Sequence, residues 1–380
     1  MRFCIKNKQI KFHKHNIGLK EIFSIYKASK SNILTAGPIV QEFELAFADY
    51  LNIKHVVGTS SCTAAIHLAL QASAIGPGDE VIVPNITFAA TALAVIHSGA
   101  TPVLVDVDPY TGLILPQNIL SAITSKTKAV IAVHLYGQVC NLTAINKVCK
   151  DQKILFFEDA AHCIEGSLDG AKPGTVSDGA FFSFYPTKSI TSGEGGAFAT
   201  NNKMLSEKVK LLRTHGLTKT ASDRAKEGFR FWDIEEVGWK YNLNDLQASM
   251  LIPQLNTLKS RHEKRLRIAA EYHKRLNQNH VKLPSNLAFD HAAHIYSIQV
   301  DPTKRDGLIQ HLNKLGIGCS VHYLPLHRIT ALSFAARKDL DLSNSISIGE
   351  RIISLPIYPK LKVTEIKKIC ETINEYLEVN

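Results

Sequence analysis

The chain has 380 residues, 45% hydrophobic and 21% charged, the composition of a globular protein with room for two domains. No apolar run approaches the roughly 20 residues of a membrane-spanning helix, and the basic start, Met1 to Lys20, lacks the apolar core of a signal peptide; a cytoplasmic location without a membrane partner is expected. The formal charge of +10 is spread out, its densest piece (Lys259 to Arg267) reading as a solvated helix face, so nucleic acid is not an expected partner, whereas an anionic small substrate suits a basic surface.

Residues 1–30 are polar and basic, with a first helix expected around Lys20 to Ser29. Leu34-Thr-Ala-Gly-Pro38 reads as a turn, and Val40 to Leu51 carries apolar residues at helical spacing. His55 to Gly58 reads as a short strand leading into Thr59-Ser-Ser-Cys62-Thr63-Ala64-Ala65 and a helix to about Ala74. Small hydroxyl residues cap such a helix, and its free amides can equally hold an anion. Gly76 to Asp79 is a turn, Val81 to Pro84 a strand, and Thr87 to Ser98 a helix opened by Phe88 and closed by Gly99.

Pro102 to Val107, Ala129 to His134 and Ile154 to Glu158 are further strand-like runs, separated by helix-like stretches at Gln117 to Thr124 and Leu142 to Lys150. This alternation predicts parallel βαβ units, whose binding groups collect at the carboxyl ends of the strands. Asp159 falls at such an end. The apolar run Ala180 to Phe184 predicts a buried strand, followed by Lys188 and the turn-forming Gly193-Glu194-Gly195-Gly196 before a strand at Ala197 to Thr200. That Gly-rich turn lacks the ending of a phosphate-binding P-loop.

A lysine in an apolar site can lose its proton and attack a carbonyl, and a Schiff base with pyridoxal phosphate (PLP) is a standard use of one. The pyridine nitrogen of PLP must stay protonated for the ring to act as an electron sink, which needs a carboxylate such as Asp159. Lys188 and Asp159 are therefore the candidate catalytic pair.

Arg213 to Glu236 is polar and charged, with Gly228 and Trp232 inside, and long enough for a functional loop. Leu243 to about Asn277 predicts a long linking helix interrupted at Pro253. His294 to Val300 alternates as a half-buried strand, Arg305 to Leu315 is helical, Ile317 to His322 reads as a second strand, and Thr364 to Leu377 as a final amphipathic helix. The expected division is a large domain at 1–250 and a small α/β domain at 251–380. Seven scattered cysteines (Cys4, Cys62, Cys140, Cys149, Cys163, Cys319, Cys370), with no Cys-x-x-Cys pair and no zinc-like histidine spacing, point to reduced thiols and no metal.

From Leu34–Pro38 to Ser354–Pro359 the chain resembles the sugar aminotransferases of the DegT/DnrJ/EryC1/StrS type, within the fold-type-I PLP enzymes. The most specific stretches are Glu158 to His162, Ser183 to Gly196 and Gly238-Trp-Lys-Tyr-Asn242. The resemblance implies an α/β fold, with a large domain whose central, mostly parallel seven-stranded sheet lies between helices and a smaller C-terminal α/β domain. It places Thr63, Ala64 and Ser183 at the cofactor phosphate, Phe88 on the ring face and His162 beside the ring. Asn242 would reach the phosphate of the partner subunit's cofactor, making an obligate homodimer with shared sites. Thr35, Gly37, Glu194, Lys240, His322, Tyr323 and His327 are implied substrate contacts, although turn and loop roles serve several of them as well. Ser60-Ser-Cys62 stands where glycine is also common.

The implied reaction moves an amino group from glutamate to a keto group of a nucleotide-linked deoxysugar, for a surface polysaccharide such as lipopolysaccharide. Relatives that dehydrate the sugar carry histidine in place of the lysine, so Lys188 favours amination, and the Lys-Tyr-Asn ending looks more like the C4 enzymes. The alternatives are a C3-keto sugar or cyclitol ketone, and a non-catalytic PLP-binding regulator. The last would need a nucleic-acid domain, and no helix-turn-helix segment with its own core is visible.

Overall fold

The short apolar runs of the first 200 residues form one seven-stranded sheet in a computed structural model, which describes residues 9–218, 233–284, 287–288 and 290–379. The strands are β1 (His55–Thr59), β2 (Glu80–Pro84), β3 (Thr101–Val105), β4 (Thr127–Val133), β5 (Leu155–Asp159), β6 (Gly179–Ser183) and β7 (Gly196–Thr200), in spatial order β1-β7-β6-β5-β4-β2-β3. β7 runs antiparallel to both β1 and β6, and the other pairs are parallel. The expected fold class is thus observed.

Buried parallel strands must be apolar on both faces, which explains why these runs do not alternate with polar residues. Val81, Val83, Ile131, Phe157, Phe181 and Phe198 face one core, with α3 (Cys62–Ala72), α4 (Ala90–His97) and α7 (Lys203–Leu212). The neighbouring residues in the same strands, among them Ile82, Val130, Phe156 and Phe182, face the other side. There they meet α2 (Pro38–Leu51), α5 (Pro116–Ala122) and α6 (Leu142–Asp151). α1 (Leu19–Ala28) packs on α8 (Asp245–Leu255), which also contacts α2.

Three expectations change. α4 begins at Ala90, not Thr87: the Thr91 amide donates to the Phe88 carbonyl three residues back, at 3.2 Å, and residues 85–89 are irregular. The linking helix breaks not at Pro253 but between α8 and α9 (Leu258–Arg275). Pro253 sits in the last turn of α8, where its missing N–H removes a single ladder bond. Ile317 to His322 is not a strand. Ile317 bridges in parallel to Ile10 and Ser320 bridges to Ser354, so its pairing is split between two partners. The partner of β8 (Tyr296–Gln299) is β9 (Ile352–Leu355), antiparallel to it.

α10 (Pro302–Lys314) and α12 (Val363–Val379) cover this two-stranded sheet, while α11 (Ser343–Arg351) lies against the sheet side that buries Ile348. Ile10 of the N-terminal segment joins the same small core as Ile298, Leu312, Ile317 and Ile369. Gly228, Trp232 and Cys4 lie outside the described residues, and the six described cysteines are free thiols.

Candidate active site

β5 and β6 end side by side, and the chain beyond each end carries the chemistry. A cavity of about 490 Å³ opens there, and Lys188, Asp159, His162, Ser183, Phe88 and Thr63 all line it. Residues read from separate stretches of sequence therefore converge on one space.

Lys188 follows a tight turn closed by its own amide, which donates to the Tyr185 carbonyl at 2.9 Å. Burial lowers its ammonium pKa from 10.5 to about 8, against the opposing pull of Asp159 and Cys62. For a pKa near 8, roughly a quarter of the amines are neutral at pH 7.5, against about one in a thousand for an ordinary lysine. Desolvation thus favours the neutral amine, the form able to act as a nucleophile or base.

Asp159 is buried, and both carboxylate oxygens are held: the Thr91 hydroxyl donates to Oδ2 at 2.8 Å and the Ala161 amide to Oδ1 at 3.0 Å. Thr91 was not foreseen from sequence. It lies 68 positions from Asp159, and its helix carried no polar signal beyond Thr87 one turn earlier. Two donors fix the carboxylate and leave its remaining lone pairs for a proton-bearing ring nitrogen.

His162 lies beside it, with the Tyr323 hydroxyl 3.1 Å from Nε2 and the His294 ring centroid at 4.8 Å. Burial first, then Lys188 and His322, hold its imidazole well below the usual range, so the ring is neutral. Its Nδ1 is buried and has no partner among the described residues. Burial and the Lys188 charge likewise push His322 down to about 4, and burial raises the Tyr323 phenol.

The N-terminus of α3 also faces the cavity, with Ser61, Cys62 and Thr63 in its wall. The Ser61 hydroxyl accepts the Ala64 amide at 3.0 Å and the Ser61 carbonyl that of Ala65 at 3.1 Å. Among the described residues the amides of Cys62 and Thr63 take no acceptor, and Ser183 lies close by. Gly196 provides the room, since a Cβ there would stand 2.4 Å from the Cys62 nitrogen. Free amides at a helix N-terminus with two hydroxyls suit a phosphate.

An amine, a held carboxylate and a phosphate-binding end along one cavity match the three attachments PLP needs, and the unpartnered His162 nitrogen suits the ring's 3-oxygen. The residues fit that cofactor.

The other expected contacts divide between the cavity wall and places away from it. Phe88, 61% exposed, and Glu194, also exposed, stand on the cavity wall with Tyr323 and His322. Ala64 is buried beneath it with its amide already used. Gly37 donates its amide to Asp245 at 2.7 Å, and His327 is held by Asn85; neither lines the cavity. Thr35 and Lys240 are exposed away from it, and Asn242 donates to the Thr35 hydroxyl at 2.9 Å. Besides Thr91, sequence reading passed over Tyr185, Thr187 and His294, whose places near Lys188 depend on packing.

A model of the DegT/DnrJ/EryC1/StrS aminotransferase family matches residues 16–374. The chain is 37% identical over 372 residues to the spore coat polysaccharide biosynthesis protein SpsC of Bacillus subtilis, covering 95% of each. It is 35% identical over 351 residues to GDP-perosamine synthase of Caulobacter vibrioides, covering 91% of this chain and 92% of that one. Its fold matches the PLP form of Spr1654 from Streptococcus pneumoniae with a TM-score of 0.91 at 28% identity, over 98% of this chain and 99% of the other.

Proposed function

The chain belongs to the DegT/DnrJ/EryC1/StrS aminotransferase family, PLP-dependent enzymes that act on sugars, and from that premise we propose that it transfers the amino group of glutamate to the C4 keto group of a nucleotide-linked deoxysugar. The observation that carries the reading is the convergence of Lys188 and Asp159 on one cavity whose wall also holds the free amides at the start of α3. The likeness to a GDP-perosamine synthase supports a nucleotide-linked acceptor. The product would serve a surface polysaccharide.

When bound, PLP supplies an aldehyde for amine exchange and a ring that stabilises negative charge on the substrate carbon. Lys188 would be the residue that holds it covalently, and its free, neutral amine would be the base that moves a proton at the substrate carbon. Asp159, held by Thr91 and Ala161, keeps a proton on the ring nitrogen. Ser183, Thr63 and the α3 amides would hold the phosphate, His162 would orient the ring edge, and Phe88 would cover one face. His322, Tyr323 and Glu194 stand where the sugar would enter.

The enzyme works as a homodimer in this reading. α1 turns Leu19, Ile22, Phe23 and Tyr26 outward, at 55–85% exposure, while burying Glu21 against Arg261. A helix with its apolar stripe outside is built for a partner. Asn242 lies outside its own cavity, which leaves it available to serve the other subunit's in this proposal. A domain boundary near residue 250 accords with the separate core around β8, β9 and α12. No described helix is long and apolar enough to cross a membrane, and we take the site of action as the cytoplasm.

The test is the visible spectrum of protein loaded with PLP, before and after glutamate, for wild type and Lys188→Ala, followed by C4- and C3-keto nucleotide sugars as acceptors. A band that glutamate bleaches in wild type alone, and that only the C4 ketone restores, is expected. Absence of PLP binding would sink the site assignment, and restoration by the C3 ketone alone would move the amination.

A further inference from the structure

The N-terminal segment crosses from the small core to the turn that bears Lys188. At one end Ile10 is laid into the small domain: its amide donates to the Gly316 carbonyl at 2.9 Å and its carbonyl accepts the Gly318 amide at 2.8 Å. Gly318 permits this approach, because a Cβ there would stand 2.6 Å from the Phe12 nitrogen. Phe12 then stacks on His322 with centroids 5.5 Å apart. At the other end His13 Nε2 lies 2.8 Å from the Pro186 carbonyl, two residues before Lys188 and 173 positions away in sequence. A carbonyl only accepts, so Nε2 carries the hydrogen.

We propose that His13 is a positioning residue for Lys188, donating from Nε2 to the Pro186 carbonyl and thereby tying the lysine turn to the small domain. Pro186 follows exposed Tyr185 and sits in a turn closed by the Lys188 amide, so the described backbone offers this carbonyl no other partner. His13, Phe12, His162, His294, His322 and Lys188 also enclose a chamber of about 60 Å³ beside the main cavity. The segment is therefore part of the wall behind the amine, and burial keeps the His13 imidazole below its ordinary range and neutral there. A shift of small domain against large would reach Lys188 through this bond. Misplacing a reacting group by about 1 Å can cost on the order of 100-fold in rate, so one tether two residues away is consequential.

The experiment compares His13→Gln, which keeps a side-chain N–H, with His13→Phe, which keeps a ring without the donor, and His13→Ala. The first measurement is hydrogen exchange of the segment 184–192 in the protein without PLP. Exchange roughly ten-fold faster in the Phe and Ala variants, with His13→Gln near wild type, is expected. The second is the glutamate half-reaction, where the same two variants should lose about ten-fold in rate with little change in KM, and the Gln variant less than about three-fold. This arm rests on the cofactor role of Lys188; the exchange arm does not, so failure of one reading is distinguishable from failure of the other. Unchanged exchange at 184–192 in His13→Phe, or equal losses in the Gln and Phe variants, would overturn the proposal. If His13→Ala does not fold, the Gln and Phe pair decides.

Discussion

The lowered pKa of Lys188 makes the protein without cofactor less stable than it could be, and Lys188→Met should reveal by how much. In the folded chain the ammonium titrates near 8 instead of 10.5, a drop of about 2.5 in pKa. At about 1.36 kcal/mol for each step, that is about 3.4 kcal/mol against the protonated form. Lys188 is partly open to a wet cavity, and screening brings the expected penalty to about 2–3 kcal/mol. The folded state binds fewer protons than the unfolded state between pH 8 and 10.5, so this contribution to stability rises with pH across that window. Below about pH 8 both states are protonated and the full penalty stands; above about 10.5 neither is, and it vanishes.

Methionine has a similar length and no charge. Urea unfolding of the protein without PLP, which avoids the stabilisation a ligand adds, should therefore find Lys188→Met more stable than wild type by about 2–3 kcal/mol at pH 7. The difference should shrink towards zero by about pH 10.5. Taking the difference removes the titration of tyrosines and other lysines. A variant no more stable at pH 7, or one whose gain does not depend on pH, would refute desolvation as the source of the reactive amine.

Thr91→Val removes one of the two donors on Asp159 and should weaken PLP binding about ten-fold in a titration of the protein stripped of cofactor, while Thr91→Ser stays near wild type. Glu158 is fully buried, accepting from His134 at 2.6 Å and from the Gly174 amide at 2.9 Å; Glu158→Ala leaves both donors unmatched and should cost about 3 kcal/mol in chemical denaturation. If α1 is the face of the proposed dimer, Phe23→Asp on it should turn a dimeric wild type into a monomer in sedimentation, and activity should fall with it.

Much of the site could be read in the chain because its parts lie at predictable places on local elements. Asp159 ends an apolar run, Lys188 follows another, and small hydroxyls precede α3, so strand periodicity and capping chemistry put all three at one edge of the sheet. The small domain was harder. β9 is a four-residue run wedged between a helix and Pro356, whereas Ile317 to His322 has the apolar pattern of a strand but divides its pairing between Ile10 and Ser354. Strand propensity measures fit to a pleated surface, and only the partners supply that surface. Pro253 misled for a related reason, since a proline one turn from a helix end costs little there.

The alternation of strands and helices, the acid and amine beyond strand ends and the capped start of α3 were determined by the sequence alone, because each depends on residues within a few positions of one another. Tertiary structure decided which of these become a site. It set Thr91 against Asp159, left His162 Nδ1 without a partner, held His327 and Gly37 away from the cavity, and brought His13 to the Lys188 turn. The reactivity of Lys188 belongs to the same group, since a pKa reports desolvation by residues far away in the chain, and no local pattern encodes how much water the fold excludes.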